Sequence, residues 1–227
     1  LQGDTRHYVV YYSRDLVVDP ALRGRTTDEV LGEHAAPSRR DGEQGRAHGE
    51  TLRTYRLAVA ATGEYTAFHG GTVAGGLAAV VTSFNRVTGI YERDLSVSFQ
   101  LVANNDQLIY TNASTDPYSN TSSDLTANQT NINLVIGSAN YDVGHLVGTG
   151  GGGVASLGVI CTTSKARGLT GSGVPVGDAF DVDYVAHELG HQFGGNHTFN
   201  GDSGSCSGGN RNGSTAYEPG SGSTIQA

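Results

Sequence analysis

Residues 187 to 197 read H-E-L-G-H-Q-F-G-G-N-H. His187 and His191 stand four apart, so on a helix they project from one face, one turn above the other. That spacing lets two imidazoles reach one metal ion at about 2.0 Å. Glu188 adjoins the first of them and can hold a water at the metal without being a ligand. Gly194 can take the positive φ that ends a helix, and the reversed chain can then bring His197 to the same ion. Three neutral imidazoles and a water form an open tetrahedral zinc site, the catalytic kind and not the closed structural kind. A bare H-E-x-x-H describes two ordinary surface histidines about as often as a metal site. The added glycine and third histidine decide for the metal.

These eleven residues resemble the zinc signature of the metzincin metallopeptidases. Upstream, Tyr141 to Gly158 (YDVGHLVGTGGGGVASLG) followed by Cys161 is similar to the reprolysin, or adamalysin-like, branch. There an H-L-hydrophobic strand and a G-x-A-x-x-G edge strand precede the zinc helix. The resemblance covers residues 54 to about 225. It implies an α/β (α+β) domain of metzincin type. Its features are a twisted mixed sheet, an edge strand lining the cleft, and long helices including the zinc-binding one. It also implies that Gly153, Val154, Ala155 and Ser156 form the upper rim of the cleft, where an extended peptide adds as a further strand. The family pattern expects a methionine-bearing turn beneath the zinc and a C-terminal helix. Tyr217 to Ile225 looks like the approach to that turn, but the next residue is Gln226 and the chain contains no Met. The C-terminal wall of the cleft is therefore expected to be altered or missing.

The surrounding composition narrows the class. At 227 residues the chain is long enough to bury a sizeable core. A net charge of −8 argues against nucleic acid or an anionic membrane as partner. No run approaches the roughly 18 apolar residues of a membrane span. Abundant Gly, Ser, Thr and Asn with a single lysine, Lys165, describe a polar, loop-rich surface of the secreted kind. Cys161 and Cys206 are the only cysteines. In an exported protein they can form a disulfide tying the strand before the zinc helix to the loop after it. The alternatives are free thiols or bridges to partners outside the chain. Acidic and Asn-rich loops offer oxygen ligands, so Ca2+ is a second candidate ion beside one catalytic Zn2+; solvated loops are the simpler account. A monomer acting on a peptide or protein is the expected state.

Residues 1–50 read as an N-terminal extension, and 51–227 as the catalytic domain. The extension holds seven of the fourteen basic residues and nine acidic ones. Tyr8 to Val18 could pair as a strand, and Ala21 to Glu50 reads as linker. By resemblance it is a propeptide remnant with Arg39-Arg40 or Arg46 as processing points; an ordinary extension is the alternative. With no cysteine before 161, inhibition by a zinc-bound cysteine is excluded within this chain.

The elements that must position the site follow from periodicity. Thr54 to Ala61 alternates as a core strand. Val73, Leu77, Val80, Val81, Phe84, Val87 and Tyr91 describe an amphipathic helix over Thr72–Tyr91. Ser96 to Val102 is a second strand and Gln107 to Thr111 a third, with a turn at Asn104–Asp106 between them. A second helix starts at Asp124, capped by Ser123 or Asp124, with Leu125, Ile132, Leu134, Val135 and Ile136 apolar. Val143 to Val147 is a strand whose His145 is a core residue and not a fourth ligand. Gly148 to Gly153 satisfies G-x-G-x-x-G, but a strand and not a helix follows, so the dinucleotide reading fails. Gly168 to Gly177 reads as loop.

The expected chemistry is peptide-bond hydrolysis by a zinc-activated water with Glu188 as general base. Ligand histidines bind when neutral, so activity is expected to fall at low pH. The competing expectation is an inactive zinc-bearing peptide-binding module of the same fold. A non-metal adhesion domain is a distant third.

Overall fold

The computed structural model describes residues 28–31 and 51–227. One six-stranded sheet runs in the order β1-β5-β6-β4-β2-β3. Its strands are β1 (Asp28–Leu31), β2 (Arg53–Ala61), β3 (Val97–Leu101), β4 (Val143–Gly148), β5 (Gly153–Ser156) and β6 (Gly168–Gly171). Pairing is parallel everywhere except between β5 and β6.

The alternation in β2 separates the two faces of the sheet. Leu57, Val59 and Ala61 join one apolar cluster, and Ala58 and Ala60 join the other. Burial on both faces is what a central parallel strand requires. Helix α1 (Gly63–Phe68) follows, and then the long α2 (Val73–Leu95) covers the first face. Val80, Phe84, Val87 and Tyr91 form its buried stripe, each worth roughly 1.5–3 kcal/mol in transfer from water. Thr72 caps α2 by accepting from the Gly75 N–H at 3.1 Å. Among the described residues α2 is the one helix long and apolar enough to cross a membrane, yet this stripe packs into the core beside the sheet. Helix α3 (Leu125–Val135) packs on the opposite face with Tyr118, Tyr141 and Leu146.

Several expectations are corrected. Gln107–Thr111 is not a strand: a 3-10 turn spans Asn105–Leu108, and only Ile109 bridges to Ala61. The buried Asn105 amide takes the place a neighbouring backbone would fill. Its Oδ1 accepts from Val59 N–H at 2.7 Å and its Nδ2 donates to the Val59 carbonyl at 2.9 Å. The α3 approach is capped by Thr121, whose N–H donates to the Asp124 carboxylate at 3.1 Å in a capping box. Leu134 is 82% exposed and lies off the buried stripe. Gly168–Gly171, expected as loop, is the fully buried strand β6. Cys161 and Cys206 stand as free thiols, so the expected bridge is not formed. Cys161 follows the β5 turn with φ 59°, while Cys206 lies on a separate short turn, Gly204–Cys206. The Tyr8–Val18 strand and the basic processing points lie outside the described residues.

Within residues 51–227, β5 is the sheet edge that the sequence predicted. The chain does not leave that edge open. Asp28–Leu31 pairs along it, from Asp28 opposite Gly153 to Leu31 opposite Ser156.

Candidate metal centre

The helix carrying the site runs on from α4 (Asp178–Phe180) through a π-helical stretch (Asp181–Ala186) into α5 (His187–Gln192). Phe180, Val185 and Leu189 are buried against the sheet and α2. Tyr91 of α2 anchors the segment, donating from its hydroxyl to the Ala186 carbonyl at 2.8 Å. Gly194, at φ 96°, ends the helix as the sequence required, and its N–H donates to the His191 carbonyl at 2.8 Å. The chain then reverses and places His197 beside the helix.

His187, His191 and His197 come together, all three buried. Each ring aims Nδ1 at a backbone carbonyl: His187 at Ile225 (2.5 Å), His191 at Gly195 (2.7 Å) and His197 at Asn210 (2.7 Å). A carbonyl oxygen can only accept, so every Nδ1 carries the proton. Every Nε2 is then left with its lone pair. Those Nε2 atoms converge. His187 lies 3.2 Å from His197 and 3.0 Å from His191. A cation at the common point would take all three lone pairs at once. Tetrahedral zinc with bonds near 2.0–2.1 Å separates its nitrogen ligands by about 3.3 Å, so the donor set fits zinc. Among the described residues this is the one His/Cys/Asp/Glu group placed to hold a metal. Ca2+ gains no support: the loop carboxylates of Asp116 and Asp124 serve the backbone, Asp116 accepting from Gly63 and Tyr118 N–H and Asp124 from Ser119 and Thr121 N–H.

Glu188 is fully buried, and its carboxylate lies against Gly153 at the start of β5. A β-carbon at Gly153 would collide with Glu188 Oε1, so the strand can approach the carboxylate only with glycine there. The expected rim residues Gly153, Val154, Ala155 and Ser156 are all on β5, and all are buried. Gly153 thus touches the site residue directly.

The sequence reading missed four supports. Gln192 is a polar residue at a core position, one turn after Leu189, and that mismatch was its legible signal. Its Nε2 donates to the Gly144 carbonyl at 2.8 Å and its Oε1 meets His145 Nδ1 at 2.9 Å. His145 Nε2 meets Thr170 Oγ1 at 2.9 Å, so β4, β6 and the zinc helix are pinned together. His145 stays out of the metal group, as expected, and burial lowers its pKa to about 4. The other three are the carbonyls of Gly195, Asn210 and Ile225, which carry no sequence signal. Gln226, where the family pattern places methionine, lies beneath the ligands. Its Nε2 donates to the His187 carbonyl at 3.3 Å and sits 3.0 Å from His191 Nδ1. Gly190 leaves the space its Oε1 occupies.

A mixed sheet backed by a helix with a three-histidine centre defines a metallopeptidase-like fold and site. The model of the reprolysin-like metallopeptidases, family M12B, matches residues 51–227. The chain belongs to that family. Curated protein sequences returned no match. Among solved structures, the crystal structure of myroilysin is similar at 12% identity and a TM-score of 0.37, over 78% of this chain. The aligned region spans 54% of that structure's chain, about half its length.

Proposed function

We propose that this chain is a secreted zinc-dependent endopeptidase in which His187, His191 and His197 hold the ion and Glu188 is the general base. The observation that carries the reading is the convergence of three Nε2 lone pairs, with every Nδ1 proton committed to a carbonyl. A bound zinc ion would supply Lewis acidity, lowering the pKa of a water toward about 7 and polarising a carbonyl oxygen. Glu188 takes the proton of the attacking water on a carboxylate oxygen and returns it to the departing amine nitrogen. The wall of β5 beside Glu188 keeps that carboxylate out of bulk water. No Ser or Cys nucleophile is needed. Secretion is supported by the polar, lysine-poor composition.

The test is cleavage of a mixed peptide library by the parent chain and by Glu188→Ala. Chelator-sensitive cleavage should fall by about 10²- to 10⁴-fold in the variant while bound zinc stays equal. Zinc-loaded, folded parent that cleaves nothing would overturn the peptidase reading.

A further inference from the structure

The connection between β5 and β6, residues 157–167, frames a polar cavity of about 530 Å³ at the far end of the strand that touches Glu188. Two positive-φ residues, Gly158 at 66° and Cys161 at 59°, bend this connection. Thr162 fixes the bend: its Oγ1 donates to the Val159 carbonyl at 2.6 Å and accepts from Ser164 N–H at 3.1 Å. Gly158 and Val159 N–H donate to the His191 and Gln192 carbonyls, both at 2.9 Å, so one wall of the cavity is tied to the end of the zinc helix. Another wall is Arg167. Its Nε donates to Ser156 Oγ at 3.1 Å and its Nη1 to Thr126 Oγ1 at 2.9 Å. These hydroxyls hold the guanidinium in place without neutralising it. Arg56, Arg86 and Arg93 each pair with an aspartate, whereas Arg167 has no carboxylate partner among the described residues. In a chain of net charge −8 that is an unmet cation. Ser156, only 7% exposed, accepts from Arg167 and keeps its own proton to donate. Thr163 and Ser164 bring two further hydroxyls to the cavity, and no Asp or Glu lines it.

We propose that this cavity is a subsite for an acidic residue of the peptide substrate, whose carboxylate pairs with Arg167 and is capped by the hydroxyls of Ser156, Thr163 and Ser164. The proposal rests on the peptidase reading for the nature of the ligand. The donor set selects an anion: a guanidinium cannot accept, and it meets a carboxylate through two parallel N–H bonds. Size selects a residue over a bare ion, since a bound water takes about 30 Å³ while pockets for organic groups run to several hundred. Position ties the cavity to the reaction. Ser156 stands three residues beyond Gly153, which lies against Glu188, a span of about 10 Å at the rise of an extended chain. The favoured acidic residue is therefore about three positions from the bond that is cut. The other lining residues lie past Ser156, where the pairing of Asp28–Leu31 with β5 ends, so the subsite is separate from that paired edge.

The experiment measures binding by calorimetry to zinc-loaded, full-length Glu188→Ala chains, so that no probe is cut. The probes are capped heptapeptides in which one Asp is walked through a fixed Ala, Leu and Phe background, each matched by the same peptide with Asn. At one or two adjacent positions the Asp peptide should bind at least about ten-fold more tightly than its Asn twin. Adding Arg167→Gln should bring that ratio to one. Arg167→Lys should keep part of it, because the charge remains and the planar fork is lost. Equal zinc content in all three chains shows that the metal centre is kept. Equal affinity for Asp and Asn peptides at every position would overturn the subsite, as would a preference that survives Arg167→Gln. Sodium sulfate binding as tightly as the best Asp peptide would mark an ion site and overturn the peptide assignment. With Glu188 restored, kcat/KM for the Asp peptide should exceed that for its Asn twin by the same factor in the parent, and the ratio should collapse in Arg167→Gln. A binding preference with no hydrolysis by the parent would count against the peptidase reading alone, because the calorimetry judges the subsite independently.

Discussion

The zinc helix and the loop that follows it supply one metal centre by opposite physical means. The helix is held by apolar burial: Phe180, Val185 and Leu189 are sealed into the core, and Gln192 pins it to β4. The stretch from Thr198 to Ala227 has one buried hydrophobic residue, Phe199, and is held mainly by hydrogen bonds. Glu218 is their hub. Its carboxylate accepts from the hydroxyls of Thr198 and Thr224 and from the N–H groups of Ser223 and Thr224, at 2.5 to 3.2 Å. The helix sets where two imidazoles stand. The loop sets which nitrogen of His187 and His197 carries the proton, through the carbonyls of Ile225 and Asn210. Position comes from packing, and ligand chemistry comes from a polar network.

That division can be broken from either side. Leu189→Ala, on the helix, should cost about 2–5 kcal/mol of folding stability through the cavity it leaves, read as a drop in the denaturant midpoint. Zinc affinity of the fraction that stays folded should change little. If affinity falls instead while the midpoint holds, packing is not what positions the helix.

A pH series sharpens the same contrast. Burial lowers His145 to about 4, below its ordinary value near 6.5, so the unfolded chain binds more protons between those limits. Its contribution is full above pH ~6.5 and declines as pH falls to ~4, on the order of 3 kcal/mol in all. The denaturant midpoint should show this slope in the parent and lose that part of it in His145→Gln. Glu218 responds in the same direction but in a lower range. The hydroxyls of Thr198 and Thr224 hold its pKa down to about 2, so its contribution is present above the ordinary carboxylate range and is lost only as pH falls toward that value. The core pin should therefore weaken at a higher pH than the loop hub.

Gly153→Ala forces a methyl group onto the Glu188 carboxylate. Turnover should fall by roughly 100-fold with zinc content unchanged, since no ligand is displaced. Normal turnover in that variant would show that the β5 wall does not position Glu188. The smallest expected effect is in the loop. Glu218→Gln should weaken zinc binding about ten-fold, measured by chelator competition, and should move the denaturant midpoint less than Leu189→Ala does. A midpoint shift as large as that of Leu189→Ala would erase the distinction between the two regions.

Local spacing made much of this legible. The 2-residue alternation of β2 and the three-and-four spacing of α2 survive into the structure because burial of one stripe or two faces is a local property of a regular element. The Gln107–Thr111 strand failed because a side chain, Asn105, satisfied the backbone that a strand would have paired. β6 was missed because G-L-T-G has no periodic signal; it is a strand only because β4 and β5 flank it. Leu134 faces outward because the partners of α3, and not its composition, set the direction of its buried face.

By itself the sequence determined the three histidines, the adjacent carboxylate and the glycine that reverses the chain, since helical geometry makes spacing equivalent to position over a single turn. Only the tertiary structure decided the rest. Three carbonyls far apart along the chain choose the tautomers, Gln226 comes to lie beneath His191, and Asp28–Leu31 lies on β5. Backbone carbonyls and strand edges are the same in every residue. Which of them meet is settled by long-range packing, and no residue type announces it.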